Sequence, residues 1–211
     1  SRVSRGLGDV YKRQSLHEKR VANKIDNTIL LLEHKPVITR GRRLHDQKIP
    51  NQESIEAKGI KVKNADRGGL LTYHGPGQIV AYFVVRFSDY FDSVIDMVYK
   101  IEAAAQNFLK QYGVESRVDR EHPGIWIDEK KMASIGLRVS KGVTKHGIAM
   151  NISNDMSVYN LFDPCGLSGS TMTNFEQLLS TQVNQEKLEQ MQSLLAQMFC
   201  QEFVQGRHKQ Y

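Results

Sequence analysis

Cys165 stands in the tetrapeptide Asp163-Pro-Cys-Gly166, between a residue that fixes φ and one that frees it. Most free cysteines act as small buried hydrophobes, but a turn of this kind exposes the sulfur beside backbone N–H groups able to hold an oxyanion. Cys200 is the contrast: next to Met198 and Phe199 in a helical pattern, it reads as core. A thiol is mostly protonated at its ordinary pKa of about 8.5, so a reacting cysteine needs a basic or cationic neighbour. Of the seven histidines, only His74 lies in a segment that looks like a site. His17, His34, His45, His122, His146 and His208 read as surface or structural residues. Lys131 opens the run Lys-Met-Ala-Ser-Ile-Gly136, in which Ala133, Ser134 and Gly136 leave room beside a strand for a ligand. A lysine at a strand start is ordinarily solvated, and spacing alone does not show that Lys131 meets Cys165.

The densest segment is Arg67-Gly-Gly-Leu-Leu-Thr-Tyr-His-Gly-Pro-Gly-Gln78, with four glycines and a proline just before a strand. Its bare backbone allows close approach to a substrate, with Arg67, Thr72, Tyr73 and His74 supplying polar groups. A structural turn with a polar face is the plainer alternative. The phosphate-binding patterns Gly-x-x-x-x-Gly-Lys-Ser/Thr and Gly-x-Gly-x-x-Gly are absent from it. His146-Gly-Ile-Ala-Met-Asn151 repeats the theme of small residues and one amide, and also reads as a strand with a glycine bulge. No zinc-ligand spacing occurs, since the two cysteines lie far apart in sequence and there is no His-Glu-x-x-His. The basic run Arg40-Gly-Arg-Arg43 lacks the aromatic interleaving of a nucleic-acid surface.

Several elements must position these residues. Residues 28–33 form a short apolar run and read as a buried strand, and 37–39 lead into the turn at Gly41. Residues 40–66 are polar with weak periodicity and read mostly as loop. Residues 78–86 are β-branched and aromatic, a strand. A helix is expected next, with Ser88 as N-cap, Phe91, Val94, Ile95, Val98, Ile101, Ala105, Phe108 and Leu109 at helical spacing, and Gly113 at its end. Strands follow at 114–118, 124–128 and 131–139, with a hairpin at Glu129-Lys130, then a turn at Lys141-Gly142 and a strand at 146–152. Residues 186–203 form a second amphipathic helix. Strand runs interleaved with two long helices predict an α+β domain, helices packed on a mixed or mainly antiparallel sheet.

The chain of 211 residues is 40% apolar and 25% charged, which excludes collagen, a disulfide scaffold and a disordered tail. No apolar run has the length of a membrane span, and two cysteines in this length point to a reducing, cytoplasmic setting. The net charge of +6 is partly local. Residues 1–14 hold Arg2, Arg5, Lys12 and Arg13 against Asp9 and lack a secretory h-region. They read as a non-native leader, a cloning or sequencing scar, before a single domain at 15–211. Residues 15–24 read as the end of a helix whose start is missing. The rest is mildly basic, which suits an acidic partner.

Taken together, the Arg67–Gln78 segment, Lys131-Met-Ala-Ser-Ile-Gly136, Gly147-Ile-Ala149 with Asn151, and Pro164-Cys-Gly166 resemble the lipoyl(octanoyl) transferase family, also called lipoate-protein ligase B. The four motifs stand in the family's order over most of residues 27–180. The resemblance implies the fold of biotin and lipoate ligases, an α/β domain with a mixed sheet. It implies transfer of an octanoyl group from octanoyl-acyl carrier protein to a lysine on the lipoyl domains of 2-oxoacid dehydrogenases and on the glycine cleavage H protein. Cys165 would be the nucleophile that becomes a thioester, and Lys131 its partner in favouring the thiolate and moving protons. Arg67, Gly68, Gly69, Leu70, Leu71, Thr72, Tyr73 and His74 would line the site. So would Ser134, Ile135 and Gly136, and Gly147, Ile148 and Ala149. No cofactor, metal, nucleic acid or membrane is implied, and a monomer is expected. The family begins with a strand and a complete first helix, where residues 1–14 depart from its pattern. Two rival readings stand: an ATP-dependent lipoate or biotin ligase of the same fold, with no use for a nucleophilic cysteine, and a non-catalytic module that binds acyl-carrier or lipoyl domains.

Overall fold

The computed structural model describes residues 2–4, 10–45, 47, 49–205, with side chains from residue 13 to 204. Strand β1 (Arg2–Ser4) and helix α1 (Val10–Val21) precede β2 (Thr28–Leu32) and β3 (Val37–Arg40). Helix α2 (Gln52–Ala57) and β4 (Lys61–Asn64) lead to β5 (Leu71–His74) and β6 (Gln78–Val84). Helix α3 (Val94–Lys110), strands β7 (Arg117–Val118), β8 (Gly124–Ile127), β9 (Lys130–Ser140) and β10 (Val143–Asn151), and helices α4 (Phe175–Leu179) and α5 (Gln185–Gln205) complete the chain. Seven strands form one sheet in the order β1-β2-β6-β10-β9-β8-β7, antiparallel except for β1 beside β2. A second sheet has the order β4-β3-β5, with β3 parallel to β4 and antiparallel to β5. This is the expected α+β architecture.

The large sheet is covered on both sides, and its strands alternate accordingly. From β6, Ile79, Ala81 and Phe83 enter the main core with Ile101, Phe108, Leu195 and Phe199 of α3 and α5. Val80 and Tyr82 point to the opposite face, where Leu30, Leu32 and Ala149 lie and Leu16 of α1 packs. A separate small core, with Ile38, Tyr73, Tyr159 and Phe162, fills the space under the second sheet. Cys200 packs against the main core as expected.

Several boundaries differ from the sequence reading. Residues 40–66 contain α2 and β4, because α2 buries one side chain, Ile55, and β4 is a polar edge strand paired on one side. Weak periodicity is what such elements leave in a sequence. Helix α3 starts five residues later than Ser88 would place it: Ser93 Oγ accepts from the Asp96 N–H at 3.0 Å, while residues 87–89 form a 3-10 turn. Its first turn lies outside the core, with Val94 and Ile95 50% and 62% exposed. The strand expected at 114–118 shrinks to the pair in β7. The β8–β9 hairpin turns on Asp128-Glu129, one residue before the expected pair, with Asp128 at φ 49°. Lys141 and Gly142, both at positive φ, make the expected tight turn between β9 and β10. At the N-terminus, β1 takes the sheet edge and α1 begins at Val10, so residues 10–14 are its first turns and the start of this helix is present.

Gly147 fixes the centre of the large sheet. A Cβ there would lie 2.0 Å from the Ala81 carbonyl oxygen, a backbone atom of the neighbouring strand. Gly147→Ala must therefore part β10 from β6. We expect a loss of about 2 kcal/mol, read as a lower urea midpoint; an unchanged midpoint would show that the strands do not need this approach.

Candidate active site

Pro164, Cys165 and Gly166 form a 3-10 turn in which Cys165 adopts φ 55°, ψ 23° and Gly166 φ 77°. A left-handed conformation is unusual for cysteine and clusters at functional sites. The turn abuts the glycine-rich segment, where Leu70 Cδ1 would lie 3.0 Å from a Cβ added at Gly166. The Cys165 sulfur sits 4.0 Å from Ser134 Oγ on β9 and opens on a cleft of about 1020 Å³ between the large sheet and the second one.

Arg67, Thr72 and His74 line this cleft, as do Ser134, Ile135 and Gly136 of β9 and Gly147, Ile148 and Ala149 of β10. Gly68, Gly69, Leu70, Leu71 and Tyr73 lie behind the wall. Leu71 and Tyr73 belong to the small core, and the Gly68 N–H is tied to the Leu137 carbonyl at 3.3 Å. Arg67 is buried and its guanidinium is spent on the scaffold. It donates to the Thr39 carbonyl at 2.7 Å, the Gly68 carbonyl at 2.9 Å, the Leu70 carbonyl at 2.8 Å and Thr39 Oγ1. Among the described residues no acid pairs with it, so it leaves a fixed positive charge in the cleft wall near Cys165.

Lys131 is 2% exposed, not solvated. It does not line the cleft, but the Cys165 charge acts on it through the protein. Its Nζ donates to the His122 carbonyl at 3.0 Å and lies 5.3 Å from the Trp126 ring centroid. Burial lowers its proton affinity, opposed by the thiolate form of Cys165 and by Asp119 and Glu102. The Lys131 carbonyl also accepts from the Thr173 N–H at 3.0 Å, which ties the start of β9 to the chain just after the cysteine turn.

His74 is held by Gln78. The Gln78 amide donates through Nε2 to the Tyr73 carbonyl and Asn151 Oδ1, which fixes Oε1 as the atom 2.8 Å from His74 Nδ1. The proton therefore sits on Nδ1 and leaves Nε2 a free acceptor. Tyr159, also bonded to Asn151 Oδ1, completes this buried network. Burial, with His34 close by, keeps His74 neutral.

Sequence reasoning missed much of the opposite wall. His34 and His146, expected to be surface or structural, line the cleft together with Val80 and Tyr82. His34 Nε2 is 2.7 Å from the Tyr82 hydroxyl, and His146 bonds Asp66. That bond, then Lys145, holds the Asp66 carboxyl well below the usual range. Burial lowers His146, against the pull of Asp66. The alternation of β6 marks Val80 and Tyr82 as one face, but nothing local to His34 or His146 signals that they meet. His45 is exposed, whereas His17, carried on α1, also lines the cleft, bonded to the Ser140 carbonyl at 3.2 Å. His208 lies outside the described residues. Among the described residues no three of His, Cys, Asp or Glu cluster as a metal site, and no helix is long and apolar enough to cross a membrane.

This two-sheet architecture is that of the lipoate and biotin protein ligases. A chain of the bi-partite lipoate protein ligase and E2 lipoyl domain system of Thermoplasma acidophilum superposes with a TM-score of 0.69 at 17% identity, over 97% of this chain and 84% of that one. The biotin protein ligase of Aquifex aeolicus in complex with biotin and ATP gives 0.63 at 12% identity, over 99% and 73%. Residues 12–199 match the lipoyl protein ligase A/B catalytic domain, and the chain belongs to that family. It is 39% identical over 163 residues to a protein of Dictyoglomus thermophilum named octanoyltransferase, covering 76% of this chain and 68% of that one. An Alkaliphilus metalliredigens protein of the same name is 37% identical over 171 residues, 80% and 78% of the two chains.

Burial pushes the His34 imidazole down to about 4 from an ordinary 6.5, with Arg13 adding to the effect. The folded protein then binds fewer protons here than the unfolded chain between those values. Stability is complete above pH 6.5 and falls as the pH drops toward 4, by about 3 kcal/mol at most from this residue. Urea unfolding across that range should show the fall in the parent and a smaller one in His34→Gln; parallel curves would contradict it.

Proposed function

We propose that this chain is an octanoyltransferase that carries the acyl group on Cys165. The observation that carries the reading is a cysteine in a strained turn, open to a cleft and within electrostatic reach of a buried lysine. In the first half-reaction the Cys165 thiolate attacks the carbonyl of an octanoyl thioester. The S–C bond to the donor breaks, and the Lys131 ammonium gives its proton to the departing thiolate. The thioester formed is nearly isoenergetic with the donor. Lys131 is left neutral, as a base requires. In the second half-reaction it takes a proton from the acceptor ammonium, and the freed amine attacks the Cys165 thioester. A second proton passes to solvent as the amide forms, which regenerates the thiolate and the ammonium. Dividing the transfer in this way lets two bulky partners use one site in turn.

The cleft suits an acyl tail. Val80, Ile148 and Ala149 give it apolar surface, and the neutral His34 and His74 do not oppose its entry with a charge. Burying six methylenes is worth roughly 5 kcal/mol. Octanoyl-acyl carrier protein is the donor in this reading. The acceptors are lipoyl domains, those of 2-oxoacid dehydrogenases and the glycine cleavage H protein. Lys35, Lys61, Lys63 and Lys145 stand around the cleft, and Asp66, the one acid that lines it among the described residues, is already paired with Arg138, Lys145 and His146. This charge excess favours acidic partners.

Intact-protein mass spectrometry after mixing with octanoyl-carrier protein, without ATP, tests the reading. The parent and Cys200→Ala should gain one octanoyl group and pass it to a lipoyl domain, whereas Cys165→Ala should do neither. Equal behaviour of the two variants removes Cys165 from the chemistry, and an adduct that needs ATP points to the ligase reaction instead. Reversing charge at Lys35, Lys61 and Lys63 together should lower kcat/KM roughly tenfold at low salt, with kcat retained and the gap closing at high salt. Loss of kcat alone, with no salt dependence, would remove the rim from docking.

A further inference from the structure

Glu102 has no part in the chemistry above, yet its carboxylate is buried beside it. It is 4% exposed on the face of α3 that also carries Met97, Ile101, Ala105 and Phe108. A carboxylate in such company is rare unless it is paired. Its Oε1 accepts from the Gly124 N–H at 3.0 Å. Lys131 runs past the same glycine: a Cβ at Gly124 would come 3.1 Å from Lys131 Cε and 2.0 Å from the Ala133 carbonyl oxygen. Two opposite charges, both almost wholly out of water and carried by different elements, thus converge on one residue whose lack of a side chain lets them do so.

The other groups around the amine are differently engaged. The His122 carbonyl and the Trp126 ring face Nζ directly. Asp119 accepts from the N–H groups of Glu121 and His122 and pairs with Arg117, with its side chain 30% exposed. Arg120 is held on the Tyr99 hydroxyl and ring. Cys165 provides a negative charge until it is acylated.

We propose that Glu102 is a positioning residue for Lys131, a fixed buried counter-charge that holds the amine in place while Cys165 is esterified. The assignment rests on the reading of Lys131 as the proton partner of Cys165. In the thioester state the sulfur carries no charge, and the anions that then still act on Lys131 are the partly exposed Asp119 and the buried Glu102. It exchanges no proton; it makes Lys131 a stronger base for the second half-reaction. The electrostatic balance agrees in direction: burial pushes the Glu102 carboxyl up, and the Gly124 N–H, then Arg120 and then Lys131 lower it, while Glu102, after Cys165 and Asp119, raises the proton affinity of Lys131.

The test is single-turnover transfer from the purified octanoyl-enzyme to a lipoyl domain as a function of pH. Glu102→Gln keeps an oxygen for the Gly124 N–H and removes the charge. Its acid limb should move to lower pH by about one unit or more, with a slower plateau. Glu102→Asp, which keeps the charge, should move less, and Lys131→Ala should lose the limb. A limb unmoved in Glu102→Gln but lost in Lys131→Ala overturns the Glu102 assignment and leaves Lys131 in its role. A limb that persists in Lys131→Ala overturns both. Should Glu102→Gln not fold, Lys131→Met carries the test from the other side. The carbon-13-labelled Glu102 carboxyl should then titrate at higher pH than in the parent, and an unchanged titration overturns the assignment.

Discussion

An ammonium removed from water loses several kcal/mol of hydration, which must be replaced by groups fixed in the protein. Lys131 meets this constraint with a backbone carbonyl, an aromatic face and a set of negative charges at different distances. Each replacement dictates something about the fold. The His122 carbonyl has to project from the loop before β8, and Asp119 shapes that loop by accepting two of its N–H groups. Trp126 has to stand directly opposite Lys131 across the β8–β9 pair, beside a bulge that shifts the ladder between Ile125 and Trp126. Gly124 has to remain bare at φ 142°, a value few other residues reach, because the amine's stem and a strand carbonyl fill the space of its Cβ. The end of the large sheet is built around one buried amine.

The cleft in front of that amine follows the opposite rule, with few mobile charges. Arg67 is immobilised by the Thr39, Gly68 and Leu70 oxygens, so its charge is fixed while its donors are consumed. His34 and His74 are neutral by burial, and Asp66 is neutralised by its three cationic or imidazole partners. Mobile lysines are confined to the rim. An apolar chain entering such a cleft displaces water from neutral rings and aliphatic side chains, whereas a charged group is met at the edge. In the proposed function, binding of a tail and docking of a protein then fall to different parts of one surface.

This division explains what could be read from the sequence. Cys165, Arg67 and His74 were legible because their peculiarity is local: a Pro-Cys-Gly turn, or glycines packed around polar side chains. The small residues of β9 and β10 were legible for the same reason. The role proposed for Lys131 rests on resemblance in the sequence, since its burial depends on Trp126, Gly124 and Glu102, none of which marks the lysine in its own segment. His34, Tyr82, Asp66 and His146 come from four separate elements and meet only across the sheet, so no window of sequence contains the wall they form. The face of α3 was misjudged for a related reason. Val94 and Ile95 fit the helical spacing, but spacing does not reveal where the core ends along a helix, and nothing in the spacing marks Glu102 as buried, because a charged residue ordinarily stands on the solvent side.

The strain at Cys165 can be traced to the same strand that holds the amine. A left-handed cysteine costs of order 1–3 kcal/mol and persists only where its surroundings leave no alternative. Pro164 restricts the chain before it, and Gly166 at positive φ accepts the reversed direction after it. The Leu167 N–H closes the turn on the Pro164 carbonyl at 2.9 Å. A few residues later the chain is pinned by a parallel bridge from Met172 to Lys131 and by the Thr173 N–H on the Lys131 carbonyl. The backbone of Lys131 thus anchors the segment that follows the sulfur, while its side chain supplies the charge behind it. A displacement of β9 at this point moves both groups together, so their separation is protected by a short loop and does not rely on the rigidity of the whole domain.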